Sequence, residues 1–182
     1  MEGRINMGKS YLIVVDMQQD FVYGALGSKE AQEIVPAVVE KVKQFDGTVI
    51  FTRDTHYENY MDSQEGKFLP VVHCMEGSTG WELIDELKGL CTEKACKIYD
   101  KGTFGCIRLA ADLMAEQENN PIDFIELIGV CTDICVVSNA LLIKAHMPEV
   151  PVFVDSVCCA GVTPQKHNAA LETMRSCQIQ VK

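Results

Sequence analysis

The 182-residue sequence predicts an α/β fold, a single domain over residues 1–182 with a mostly parallel sheet and helices on both faces. Three observations carry that prediction. Short apolar runs lacking polar alternation recur along the chain, as in strands buried on both faces. Stripes of apolar residues at helical spacing fall between them. The chain is also 47% apolar, and its length suits one ordinary hydrophobic core.

The elements follow in order. "YLIVV" (11–15) reads as the first strand. Ile34, Val35, Val38, Val39, Val42 and Phe45 then mark one helical stripe, with Pro36 expected in its first turn, where a missing N–H does no harm. "TVIFT" (48–52) is the second strand. Residues 54–80 form the least regular segment, and a long loop in a compact domain is usually functional. "KIYDK" (97–101) is a weaker strand, followed by a helical stripe over Ile107–Met114. "DFIELIGV" (123–130) and "VPVFVDSV" (150–157) are strands separated by a stripe over Ile134–Ala145. Thr163 caps a helix whose first residue is Pro164, and "QIQVK" (178–182) is a weak last strand.

Charge and composition narrow the function. Sixteen Lys plus Arg against 26 Asp plus Glu give a net charge of −10. With no basic cluster to offset it, the surface repels nucleic acid and anionic membranes. No apolar stretch approaches the ~20 residues of a membrane span. The N-terminal "MEGRINMGKS" has no apolar signal core, so a cytoplasmic location is expected. The nine cysteines would then be mostly free thiols packed as small apolar residues. None forms a CxxC pair, which argues against a structural zinc site. The expected partners are a small molecule and further copies of the chain.

In an open parallel sheet, ligands bind beyond the carboxyl ends of the strands. Asp16 follows the first strand, Asp54 and His56 the second, Lys101 ends "KIYDK", and Cys135 follows "LIGV". An acid, a cation and a thiol thus converge on one edge. Cys131 and Cys135 could be a metal pair, a disulfide, or a nucleophile with a neighbour. A disulfide suits a reducing cytosol poorly, and a metal pair needs two more soft ligands at suitable spacing. Cys135 reads instead as a nucleophile in the first turn of a helix, where the dipole and a nearby Lys101 would favour its thiolate.

A second group is Asp54, His56 and His73. Residues two apart in an extended segment share a side, so Asp54 and His56 can act together. One carboxylate and two imidazoles suit Zn²⁺, Fe²⁺ or Mn²⁺. Taken alone, the pattern also fits histidines of a solvated loop.

"VVDMQQDF", "KGTF" and "GVCTDICV" together resemble the three signatures of the isochorismatase-like cysteine hydrolases, which include nicotinamidases. The resemblance runs from Asp16 to "CCAGVTPQKHNAALETM". It implies a six-stranded parallel sheet flanked by helices and a triad of Asp16, Lys101 and Cys135. It implies an oxyanion hole from the backbone N–H groups of Cys131 and Cys135, with a cis Val130–Cys131 peptide. Nicotinamidases carry a D-x-H…H set matching "RDTH" and "PVVHC", so the resemblance also implies one divalent metal, with zinc first, on Asp54, His56 and His73. Glu65 is the best placed fourth ligand and Asp62 a weaker one. Phe21, Leu69 and Phe104 are the expected pocket residues. The stretch "KFLPVVH" departs from the family in having Phe68 or Leu69 where a tryptophan is usual.

The implied activity is metal-dependent hydrolysis of nicotinamide, or a related pyridine carboxamide, through a cysteine thioester. Two alternatives stand beside it: a cysteine hydrolase of another small amide or carbamoyl compound, and a non-catalytic or redox-responsive protein that keeps the fold. Among remaining residues, Asp20 is expected in a structural ion pair or hydrogen bond, and Asp133 as a helix-start cap. Trp81 is expected to cap the loop or reach a partner. His146 and His167 are expected at the surface or in packing. Cys158 and Cys159 are expected after a strand, buried or lining the cleft.

Overall fold

A computed structural model describes residues 9–182. Six strands form one sheet in the order β3-β2-β1-β4-β5-β6, and every pair is parallel. They are β1 (Lys9–Val15), β2 (Thr48–Asp54), β3 (Lys97–Lys101), β4 (Ile122–Val130), β5 (Val152–Ala160) and β6 (Gln180–Val181). The expected six-stranded sheet is thus present, and parallel throughout. Successive strand residues point to opposite faces. Tyr11, Ile13 and Val15 of β1 therefore join one core while Leu12 and Val14 join the other.

Helices cover both faces. On one side α5 (Ile107–Asn119), α6 (Val137–His146) and α7 (Pro164–Ser176) bury Leu109, Leu113, Ile143, Leu171 and Met174. On the other, α2 (Lys29–Gln44) and α4 (Asp85–Glu93) bury Ile34, Val38, Val42, Leu87 and Cys91. Two short helices, α1 (Gln19–Val22) and α3 (Gln64–Phe68), lie at the sheet's carboxyl edge. Thr163 caps α7 by accepting from the Lys166 N–H, and Pro164 is its first residue, as expected. No helix among the described residues is long and apolar enough to cross a membrane.

Pro36 corrects the sequence reading. α2 begins at Lys29, capped by Ser28 accepting from the Ala31 N–H, so Pro36 lies inside the helix. An interior proline costs about 3 kcal/mol. Ala31, Ile34, Val35, Val38 and Val42 bury along the same helix, and larger apolar side chains are worth about 1.5–3 kcal/mol each. The buried stripe wins. Cys158 and Cys159 are corrected too: they lie within β5, not after it, and both are buried.

Sheet order reverses direction at β1, which lies between β2 and β4. In such sheets the crevice beyond the strand ends at the reversal is the ligand site. There β4 presses close to β1. A side chain on Gly129, which sits at φ 114°, would meet the Val15 carbonyl oxygen at 2.1 Å. Only glycine fits.

Candidate active site

Four strand ends supply the site. Asp16 leaves β1 at φ 50°, in the left-handed region that aspartate tolerates better than most residues. Its carboxyl is fully buried, with Oδ1 accepting from the Thr52 hydroxyl at 2.6 Å. Lys101 ends β3, equally buried, and its Nζ stands 2.7 Å from Asp16 Oδ2 and 3.5 Å from Cys135 Sγ. Asp16 Oδ2 nevertheless has no aligned hydrogen-bond donor.

Cys135 sits in a wide turn, Thr132–Val136, that closes when the Val136 N–H reaches the Cys131 carbonyl at 3.0 Å. Such i→i+5 turns occur mostly at functional sites. The Val130–Cys131 peptide before it is cis, as expected. Asn139 holds the turn from α6: its Nδ2 donates to the Cys135 carbonyl at 2.8 Å and to the Phe104 carbonyl at 3.2 Å, and its Oδ1 accepts from the Cys106 N–H at 2.8 Å. Asp133 does not cap this turn. Its Oδ1 accepts from the Val162 N–H at 2.9 Å, because the β5–α7 connection passes beside it. Thr132 and His167 pair at 2.8 Å, so His167 braces the turn from α7.

Burial works against the thiolate that the helix dipole and Lys101 were expected to favour. Burial pushes the Cys135 thiol well above its ordinary pKa of 9.0, the Asp16 charge adds to that, and Lys101 opposes both. Asp16 is also raised, first by burial, against the pull of Lys101. Lys101 holds its proton firmly: burial is outweighed by Asp16, Cys135 and Asp54. The sulfur starts as a thiol beside a carboxylate with raised proton affinity.

Beside this lies the second group. Asp54, His56, Glu65 and His73 offer one ligand atom each, all within 4.8 Å of one another. His56 Nε2 is 3.0 Å from Asp54 Oδ2 and 3.6 Å from Glu65 Oε1, and His73 Nε2 is 3.7 Å from Asp54 Oδ2. His73 Nδ1 donates to the Val71 carbonyl at 2.7 Å, leaving Nε2 as the inward ligand atom. Burial disfavours the Asp54 charge, yet His56, His73 and Lys101 hold its carboxyl below the usual range. Burial and Asp54 push Glu65 the other way. One carboxylate, two imidazoles and a half-buried second carboxylate are a donor set that fits a divalent ion.

Packing explains the placement. The Tyr60 ring lies 4.5 Å from that of His56 and 5.2 Å from that of His73, and its hydroxyl donates to the Leu69 carbonyl. Phe21 meets the His73 ring edge-on at 5.5 Å. Asp20 makes its expected hydrogen bond, accepting from the Cys74 N–H next to His73. Trp81 fastens the loop to β2: its Nε1 donates to the Thr55 hydroxyl, and Arg53 lies 3.5 Å over its ring.

The structure brings together Asp16, Lys101 and Cys135, and beside them Asp54, His56, His73 and Glu65. Asp62 is exposed in the turn Tyr60–Asp62 and outside the group. Phe68 is 85% exposed, while Leu69 and Phe104 are exposed on segments flanking the site. Gln18, Thr52, Tyr60 and Asn139 escaped the sequence reading. Their roles run through partners distant in sequence, and no local spacing announces them.

A three-layer α/β fold with a buried acid, lysine and cysteine at its switch point defines a class of hydrolase. Residues 10–181 match the isochorismatase domain, and the chain belongs to that family. Within it, the chain is similar to nicotinamidases. A nicotinamidase of Schizosaccharomyces pombe is 26% identical, covering 93% of this chain and 91% of the relative. The crystal structure of a nicotinamidase/pyrazinamidase from Bacillus subtilis superposes with a TM-score of 0.81 at 27% identity, over 95% of this chain and 98% of that one. A pyrazinamidase from Pyrococcus horikoshii, solved in complex with zinc, gives 0.77 at 28% identity, over 96% and 98%.

Proposed function

We propose that this amidohydrolase cleaves the carboxamide of nicotinamide, or a close pyridine analogue, to the acid and ammonia. The observation that carries the reading is Lys101, whose ammonium touches both Asp16 and Cys135 while Asp54 links it to the four-donor group. The similarity to nicotinamidases supplies the substrate class.

Asp16 acts as the base. As the sulfur approaches the carbonyl carbon, the thiol proton passes to Asp16. The carbonyl π pair moves onto oxygen, and the backbone N–H groups of Cys131 and Cys135 receive the charge. Lys101 stays protonated and steadies both anions. Collapse of the adduct breaks the C–N bond; Asp16 returns its proton to nitrogen, and ammonia leaves a thioester on Cys135. Water then attacks the thioester, Asp16 takes its proton and restores it to sulfur, and the acid departs.

Asp54, His56, His73 and Glu65 would hold one divalent ion, with zinc first, as in the zinc-bound pyrazinamidase structure. When bound, it would supply Lewis acidity toward the ring nitrogen of the substrate and so orient its carboxamide. Phe21 would wall the ring, with Leu69 and Phe104 at the rim. Ammonia release from nicotinamide by the zinc-loaded protein tests the reading. Failure there, with release from a different amide in a panel, would assign another substrate.

A further inference from the structure

The sheet ends unevenly at the site. β1 and β2 pair up to Val15 and Thr52, and the Asp16 N–H still reaches the Thr52 carbonyl at 3.2 Å. Asp16 then turns away, so β1 offers no backbone to Asp54, the next β2 residue facing it. In a parallel ladder such a residue presents its N–H and its C=O to the same neighbour. Both would be buried without partners, an arrangement folded proteins avoid.

Gln18 fills the missing place. Its Oε1 accepts from the Asp54 N–H at 2.7 Å, and its Nε2 donates to the Asp54 carbonyl at 2.8 Å and the Trp81 carbonyl at 2.9 Å. The side chain is fully buried. A carboxamide copies the peptide group, donor and acceptor side by side. Trp81 in turn grips the residues on either side of Asp54, through the Thr55 hydroxyl and the Arg53 guanidinium. Among the described residues, the Asp54 carboxylate itself pairs with His56, His73 and Lys101. Its aim is therefore set by the backbone that Gln18 clamps.

We infer that Gln18 is a positioning residue for the metal group, its amide standing in for the absent strand and fixing the direction of the Asp54 carboxylate. The inference rests on the metal reading above. It differs from a purely structural role, which would lower stability without moving metal affinity.

Cobalt(II) titration followed by visible absorption separates the two. Gln18→Met keeps the length of the side chain and removes both polar atoms. Its Kd for cobalt should rise about 10–100-fold, the usual effect of losing a group that orients a ligand. The rise in Tm on adding zinc should shrink in step. Leu113→Ala, in the core on the other face, should lower the metal-free Tm and leave the cobalt Kd unchanged. Gln18→Asn, which keeps an amide but shortens its reach, covers the case in which methionine prevents folding; its Kd must rise as well. A Kd within twofold of wild type in a folded Gln18 variant overturns the inference alone. Wild-type protein that binds no cobalt overturns the metal reading and this inference with it.

Discussion

Asp54 faces two centres at once: its Oδ1 lies 3.5 Å from Lys101 Nζ, and its Oδ2 lies 3.0 Å from His56 Nε2. One carboxylate therefore joins the four-donor group to the cation that attends Cys135. Substitutions in the group should divide according to whether they keep that link.

His56→Ala breaks the group and keeps the link. Metal should be lost and nicotinamide turnover with it, as on treatment with a chelator. Iodoacetamide should still alkylate Cys135 within about threefold of the wild-type rate, because Lys101 and Asp16 are untouched. Asp54→Asn should lose metal too, but alkylate faster, since the Asp54 charge raises the thiol pKa. Equal alkylation rates in the two variants would mean that Asp54 does not act on the sulfur. Full activity after chelation would remove the metal from the reaction.

Lys101→Ala tests the cation directly. Asp16 and Cys135 lose the charge that opposes their burial, so the thiol should hold its proton more tightly and alkylation at neutral pH should slow. Breaking a buried pair in this way costs about 3–5 kcal/mol, which a denaturant midpoint would register. An unchanged alkylation rate would place the ammonium away from the sulfur.

The two cysteines of the wide turn should separate cleanly. Cys135→Ala should reduce turnover by at least about a thousandfold, because nothing replaces a covalent nucleophile. Cys131→Ala should stay within about tenfold, since only its backbone is used. A comparable loss in both would reverse the roles assigned here.

The sequence showed much of this because parallel strands are buried on both faces. β1, β2, β4 and β5 read as largely apolar runs without regular polar alternation, while β3 and β6, at the sheet edges, were faint. α4 was missed because its nine residues bury only Leu87 and Cys91, too few for a visible stripe. Asp16, Asp54, Lys101 and Cys135 could be picked out because each ends or follows a strand. Gln18 and Asn139 could not, since they act on backbone groups of Asp54 and Cys135 that leave no mark in residue type. The depth of burial at Cys135 was equally invisible. Spacing gave the dipole and the lysine, but the dominant influence on the thiol is desolvation.

That desolvation sets the response to pH. With its folded-state pKa raised well above 9.0, Cys135 should alkylate slowly at neutral pH in the absence of substrate. The rate should climb about tenfold per pH unit until the thiol ionises. Burial acts alike on Cys131, pushed up to about 12, and on Cys96 and Cys158, each pushed up to about 11. In the unfolded chain these thiols ionise near 9.0, so above that pH the unfolded state binds fewer protons than the folded one. Stability must then fall as pH rises. Their contribution is fully present below pH 9 and is lost progressively from there through the folded-state values. Urea midpoints between pH 7 and 10.5 measure the loss, and replacing Cys131, Cys158 and Cys96 by alanine should flatten its onset. A midpoint that holds constant past pH 10 would show that the buried thiols ionise in the folded protein as easily as in water.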